Sequence, residues 1–299
     1  MTQQPQPADQ PIASSAENPL LRSWKDFLKR LAQNKSAMFG GILIVLLLVI
    51  SWVGPFLVPY GENEQEVVNK LAPPSADHWF GTDNFGRDVF SRLIHGMSIT
   101  FYIGFMSVAI GGTVGTFFGI VSGYYGGKVD TVFMRIIDVF LAFPGIILAL
   151  AIVAALGPGL NNVVYAVAIG AFPTFARIAR GSTLTVKKLE YIDAVKALGA
   201  NDLRIIFKHI LPNIMSPIIV QTTLYIATAV LSAAGLSFLG LGTQPPDPEW
   251  GAMLNDGRNY MFNAPHLTYA PGLAIILVVL AFNIFGDGLR DALDPKLKK

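Results

Sequence analysis

EYIDAVKALGANDLRIIFKHILP, residues 190–212, is a polar, basic stretch between two long apolar runs, and the rest of the chain is understood from it. Leu189, Ile192, Val195 and Leu198 recur at helical spacing, and Gly199 stands where such a helix ends or bends. Asn201 and Asp202 suit the start of a second helix, along which Leu203, Ile206, Phe207 and Ile210 again share a stripe. Pro212, tolerated in a first helical turn, opens the next apolar run. The pattern is a helix, a glycine and a second helix held against something larger. On pattern alone two uses fit: a helix lying on anionic lipid, with Lys187, Lys188, Lys196 and Lys208 toward headgroups, or a grip for a water-soluble partner.

What lies on either side is apolar. The 299 residues are 52% hydrophobic and only 14% charged, with mean hydropathy +0.49, a composition that belongs to a polytopic membrane protein. A membrane-crossing helix needs about 20 mostly apolar residues. Uncharged intervals of that length predict six, at about 37–59, 98–123, 133–156, 160–180, 212–236 and 268–287, so the fold class is an all-α integral membrane protein. Gly157-Pro158-Gly159 with Asn161 and Asn162 divides the long interval after Val139 into two spans, and Arg135 and Asp138 can neutralise each other at its entrance. Six spans put both termini on one side. The Lys and Arg of residues 22–35, Lys128, Arg135, the basic residues from Arg177 to Lys208, and Arg290, Lys296, Lys298 and Lys299 all fall on that side. Only Lys70, Arg87, Arg92 and Arg258 fall on the other, which predicts both termini in the cytoplasm. Residues 1–19, rich in Pro, Gln, Ala and Ser, read as a disordered cytoplasmic N-terminus, and the first apolar run as an uncleaved anchor.

The two outer segments, 62–95 and 237–266, are too short for a catalytic domain. HWFGTDNFGRDVFSRLIHG (78–96) predicts a turn and a short interfacial helix starting at Asp88; GLGTQPPDPEWGAMLNDGRNY (240–260) predicts a Gly/Pro-rich loop and an amphipathic piece with Trp250 at the interface. These read as turns and caps sealing the outer face, or as a docking surface. Chemistry is sparse. There are no cysteines, His78, His95, His209 and His266 are scattered, and no HExxH motif occurs. Asp287 lacks the second intramembrane acid an aspartyl protease needs, and Ser237 lacks an intramembrane histidine as base. The span cores hold no ionisable residue for a proton relay and no filter-like signature. Gly127-Lys128 is followed by Val129, and Ser122 stands where a phosphate-binding loop needs glycine, so any nucleotide site belongs to a partner.

DAVKALGANDLRIIFKHILP (193–212) resembles the coupling loop of the membrane subunits of bacterial ABC importers, whose pattern is Glu-Ala-Ala, three residues, Gly, nine residues, Ile, one residue, Leu-Pro. Gly199 and Leu211-Pro212 fall in register, while Asp193 replaces Glu, Val195 the second Ala, and His209 the Ile. LAPPSADHWFGTDNFGRDVFSRLIHG (71–96), GYYGGKVDTVFMRIIDVFLAFPGI (123–146), LSFLGLGTQPPDPEWGAML (236–254) and FNIFGDGLRDALDPKLK (282–298) are similar, in the same order, to the C-type permease of dipeptide and oligopeptide importers. The resemblance implies a type I ABC importer permease fold: an N-terminal region with the first span and outer loop over 20–96, a transmembrane domain over 97–287 with a cytoplasmic coupling segment at 185–211, and a cytoplasmic tail at 288–299. It implies a non-catalytic subunit of the inner membrane, embedded in lipid, paired with a homologous B-type permease, two ATPase subunits and an extracytoplasmic peptide-binding protein. Nucleic acid is not an expected partner. This chain would bind no cofactor, ATP and Mg residing on the ATPases. The residues implied for ATPase coupling are Glu190, Asp193, Ala194, Val195, Ala197, Leu198, Gly199, Ala200, Arg204, Leu211 and Pro212. The expected function is import of short peptides by alternating access; the same architecture carrying glutathione or a nickel complex is the alternative, and a stand-alone channel or intramembrane protease a distant one.

Overall fold

The computed structural model describes Lys29 and residues 31–293; the expected disordered segment 1–19 and the end of the expected tail, 294–299, lie outside the described residues. Helix α1 spans Lys35–Val53, α2 Val89–Tyr125, α3 Gly127–Leu141, α4 Gly145–Leu156 and α5 Leu160–Val186. Then follow α6 (Glu190–Ala197), α7 (Asp202–Ile205), a π turn (Ile206–Ile210), α8 (Leu211–Phe238), α9 (Trp250–Gly257) and α10 (His266–Leu293). Among the described residues five stretches are long and apolar enough to cross a membrane, or six if α3 and α4 together count as one span.

Local chemistry sets most boundaries. Asn34 caps α1 by accepting from the Ala37 amide at 3.0 Å, and Asp88 caps α2 by accepting from the Ser91 amide at 2.7 Å. The helix expected to lie on the interface from Asp88 is therefore the opening of the second span, because the cap starts a helix that nothing interrupts before Gly126. Gly126, Gly157 and Gly159 have φ of +69°, +89° and +142°, and they separate α2 from α3 and α4 from α5. The single span expected at 133–156 is two helices bent by 89°. Pro144 lies at the break, where its missing N–H and its constraint on Phe143 end the helix. Asp138 does not pair with Arg135 as expected; it accepts from Arg177 on α5 at 2.9 Å.

The core is the contact of α2 with α5. Ser107 donates to the Val164 carbonyl at 3.1 Å, and one turn later the line continues as Gly111, Gly115, Gly119 and Gly123. A Cβ built on these glycines would stand 2.3, 2.4, 2.3 and 2.9 Å from the carbonyl oxygens of Ala168, Phe172, Ala176 and Arg180. Residues four apart share a helix face, so the repeat lays one backbone directly on the other. In lipid, where tails are as apolar as side chains, such close backbone packing is what draws helices together. Phe175 fills the space beside Gly112 and meets the Tyr225 ring of α8 at 5.8 Å. On the far side α10 receives α1, with Phe285 backbone 2.6 Å from a Cβ built on Gly40.

The outer segments are tied to this frame. Buried Arg92 donates to the carbonyls of Glu62 (2.6 Å) and Pro246 (3.2 Å), so one guanidinium joins both segments. Trp250 Nε1 donates to the Leu93 carbonyl at 3.0 Å, and His266 Nε2 to that of Thr82 at 3.1 Å. Glu249 caps α9 through the amides of Gly251 and Ala252; burial pushes its carboxyl above the usual range, against the pull of those amides.

Replacing Gly119 by Val would drive a branched side chain into the Ala176 carbonyl. We expect a loss of about 1–3 kcal/mol, read as a lowered melting midpoint in detergent. Gly181→Ala, on the same helix α5 but with open space around it, should leave the midpoint unchanged or slightly raised. A normal midpoint for Gly119→Val would contradict the close approach.

Candidate coupling site

Segment 185–211 folds as a short helix, a glycine turn and a second helix at one end of the bundle. Helix α6 closes with the amide of Gly199 donating to the Lys196 carbonyl at 2.9 Å and that of Ala200 to the Val195 carbonyl at 3.3 Å. The second bond needs the left-handed backbone at Gly199, φ +81°, which a side chain would strain. Asn201 then accepts from the Arg204 amide at 2.9 Å and starts α7. From Asp202 to Phe238 the chain forms one apolar helical stretch, with no break between the second helix of the segment and the fifth span.

The apolar stripes differ from those expected. Ile192 is buried and Val195 partly so, but Leu198 is 87% exposed, because α6 ends at Ala197 and the Gly199 turn carries the chain away. In the second helix Leu203 and Phe207 are 65% and 61% exposed, while Ile205, Ile206 and Ile210 are buried. Through the π turn at 206–210 and into α8 the inward line runs at four-residue spacing through Ile206, Ile210, Ile214 and Ile218. Of the residues singled out in the sequence, Glu190, Asp193, Ala194, Ala197, Leu198, Gly199, Arg204 and Pro212 are exposed, and Val195, Ala200 and Leu211 are partly buried against the bundle. Asp193 lies 4.0 Å from Lys196. The outward surface thus combines small alanines with protruding Leu198, Leu203 and Phe207.

Its inward side is held by contacts that the sequence pattern does not give. Tyr124, buried in the last turn of α2, donates its hydroxyl to Asp202 at 2.7 Å. Lys187 donates to the Tyr124 carbonyl, capping the end of α2, and the ammonium groups of Lys187 and Lys196 lie 5.7 and 5.8 Å from the Tyr124 ring. Lys187 and Lys196 thus serve the protein rather than lipid headgroups. A second tie runs to α8, where Asn213 donates to the Tyr191 hydroxyl at 3.1 Å and to the His209 carbonyl at 2.6 Å. Beside these, Arg180 of α5 makes a two-pronged contact with Asp130 of α3 at 2.5 and 2.6 Å, and Ser122 of α2 donates to the same carboxylate at 2.5 Å. The segment is therefore bonded to the end of α2 and to the beginning of α8. An aromatic residue next to the end of a span was the signal for Tyr124, but its partner lies 78 positions away.

Residues 115–299 match the family described as binding-protein-dependent transport system inner membrane component, and residues 23–74 match the N-terminal TM domain of oligopeptide transport permease C. The chain is 50% identical over 276 residues, 92% of each chain, to the glutathione transport system permease protein GsiD of Pectobacterium atrosepticum. It is 48% identical over 294 residues, 98% of this chain and 94% of the relative, to the dipeptide transport system permease protein DppC of Alkalihalophilus pseudofirmus. Among solved structures, a chain of the inward-facing MetNI methionine ABC transporter aligns with TM-score 0.53 and 22% identity over 69% of this chain and 97% of its own. A chain of an amino acid ABC transporter aligns with TM-score 0.52 and 19% identity over 68% and 95%. At those identities the likeness is one of fold, and it is the fold of type I importer permeases. With its bent α3–α4 pair, its continuous helix from Asp202 and its match over most of its length, this multi-pass membrane protein belongs to the family of binding-protein-dependent transport system inner membrane components.

Proposed function

We propose that this chain is the C-type permease of an ATP-driven importer of short peptides, with both termini in the cytoplasm, and that segment 185–211 is its contact with an ATPase. The observation that carries the coupling role is the two-sidedness of the segment: exposed Ala194, Ala197, Leu198, Leu203 and Phe207 on one side, and on the other the bonds of Asp202 to Tyr124 and of Tyr191 to Asn213. Alanines allow close approach by a partner helix or groove, and the three large apolar side chains are of the kind that anchor interfaces. The proposed assembly contains a homologous B-type permease, two ATPase subunits that hold ATP and Mg, and an extracytoplasmic binding protein. Closure of the ATPases on ATP would displace α6. The Tyr124 and Asn213 contacts would then pass that displacement to α2 and α8 together, switching the bundle between two discrete states. Peptides are favoured as substrate by the relatives at 48–50% identity, whose names specify dipeptide and glutathione transport. Glutathione, itself a small peptide, is the second reading on the same ground.

Uptake of labelled dipeptides, tripeptides and glutathione by cells with and without the chain separates the two; unchanged uptake of all of them would overturn the peptide reading. Gly199→Arg should insert in the membrane normally yet abolish uptake, since it strains the turn and sets a bulky cation into the contact face. Wild-type transport by that variant would refute the coupling role. Tyr124→Phe removes one hydrogen bond worth about 1 kcal/mol. It should lower the number of peptides imported per ATP several-fold while ATP hydrolysis continues, and an unchanged ratio in reconstituted vesicles would remove Tyr124 from the transmission path.

A further inference from the structure

The first half of α8 is flanked by open space. On the side facing α5 and the end of α10 lies an open cleft of about 580 Å³, lined by exposed Asn213, Pro217 and Arg290 and by the half-buried Ser216, Gln221 and Leu224. It contrasts with another hollow, about 700 Å³ beneath the bent α3–α4 pair, whose lining includes Val114, Phe118 and Phe133 and carries no charged side chain. Three features of the polar cleft point to a ligand. Its size is that of a small-molecule site. Its lining supplies one guanidinium, a hydroxyl and carboxamides, and no acidic side chain, which is the donor set for an oxyanion. Finally, Asn213, which lines it, is the residue whose carboxamide donates to Tyr191 of α6.

We propose that this cleft is an oxyanion site at the coupling end of the bundle, and that its occupancy acts on α6 through Asn213. The proposal rests on the importer reading, which puts this end of the bundle in the cytoplasm. Two sources offer the required group there: the carboxylate of a short peptide that has already crossed, and the phosphate of an anionic lipid of the inner leaflet. Either would sit against Arg290 and crowd Asn213. Drawing Asn213 away from Tyr191 tips α6 on its remaining Tyr124 tie, so that it meets the ATPase in a changed position and slows turnover. In the first case the importer senses its own product; in the second it senses its membrane.

The test uses the assembled transporter in nanodiscs, made once with phosphatidylcholine alone and once with added phosphatidylglycerol, with the binding protein saturated by micromolar Ala-Ala. ATP turnover is followed as Ala-Ala, or Ala-Ala amide as a control, is raised through the millimolar range. The expected result is a several-fold fall in turnover with the free acid and not with the amide, or the same fall on adding phosphatidylglycerol; the first identifies a peptide carboxylate and the second a lipid phosphate. Arg290→Gln should abolish whichever response occurs, and Arg290→Lys should retain part of it. Responses of Arg290→Gln that superimpose on the wild type, or the absence of any response in the wild type, overturn the site. Failure of the binding protein to stimulate the wild-type ATPase with either micromolar Ala-Ala or micromolar glutathione would instead overturn the importer reading itself.

Discussion

The close approach of α2 and α5 is the constraint on which the rest of this structure hangs. Gly111, Gly115, Gly119 and Gly123 present bare backbone to the carbonyls of Ala168, Phe172, Ala176 and Arg180, and no side chain fits between. Because the bilayer interior offers no hydrophobic gain for bringing apolar helices together, packing of this kind must supply the attraction. The pair then behaves as a beam. Its outer end carries the knot of Arg92, Trp250 and His266 that joins the two outer segments. Its other end carries Ser122, Tyr124, Arg180 and Lys187, all within two turns of the last close glycine contact or of the end of α5.

That placement gives the proposed coupling segment its mechanical meaning. A helix resting on a membrane surface would slide when pushed. This one is bonded on one side to Tyr124, at the end of the beam, and on the other to Asn213, at the start of α8. In the proposed coupling, displacing α6 would move the α2–α5 beam and α8 relative to the remaining helices. The loosely filled first half of α8, with its π turn and Pro217, is the part of the bundle most able to accommodate such a motion.

Much of this was legible in the sequence. The apolar runs marked the long apolar helices, and the helix, Gly199 and Asn201 cap of segment 185–211 follow from local rules that need no tertiary context. What escaped is informative. Ile136, Val139 and Ile147 are as apolar as any span residue, so hydropathy could not reveal the 89° break that Pro144 imposes. The stripe held for Ile206 and Ile210, but Ile205 is buried beside them while Leu203 and Phe207 face outward. The glycine repeat of α2 was present in plain view, but small residues add little to an apolar signal and their partners are carbonyls more than fifty positions away. Tyr124 and Lys187 likewise depend on contacts that only the folded chain creates.

The most direct test of the central claim measures whether the coupling segment and α2 move as one body. The chain has no cysteine, so two can be introduced without background, at exposed Leu203 and at exposed Phe117 on α2, and spin-labelled in the assembled transporter. The account predicts that the distance distribution between these labels is the same in the nucleotide-free and ATP-trapped states. A distribution that shifts between those states by the length of a helical turn or more would contradict it.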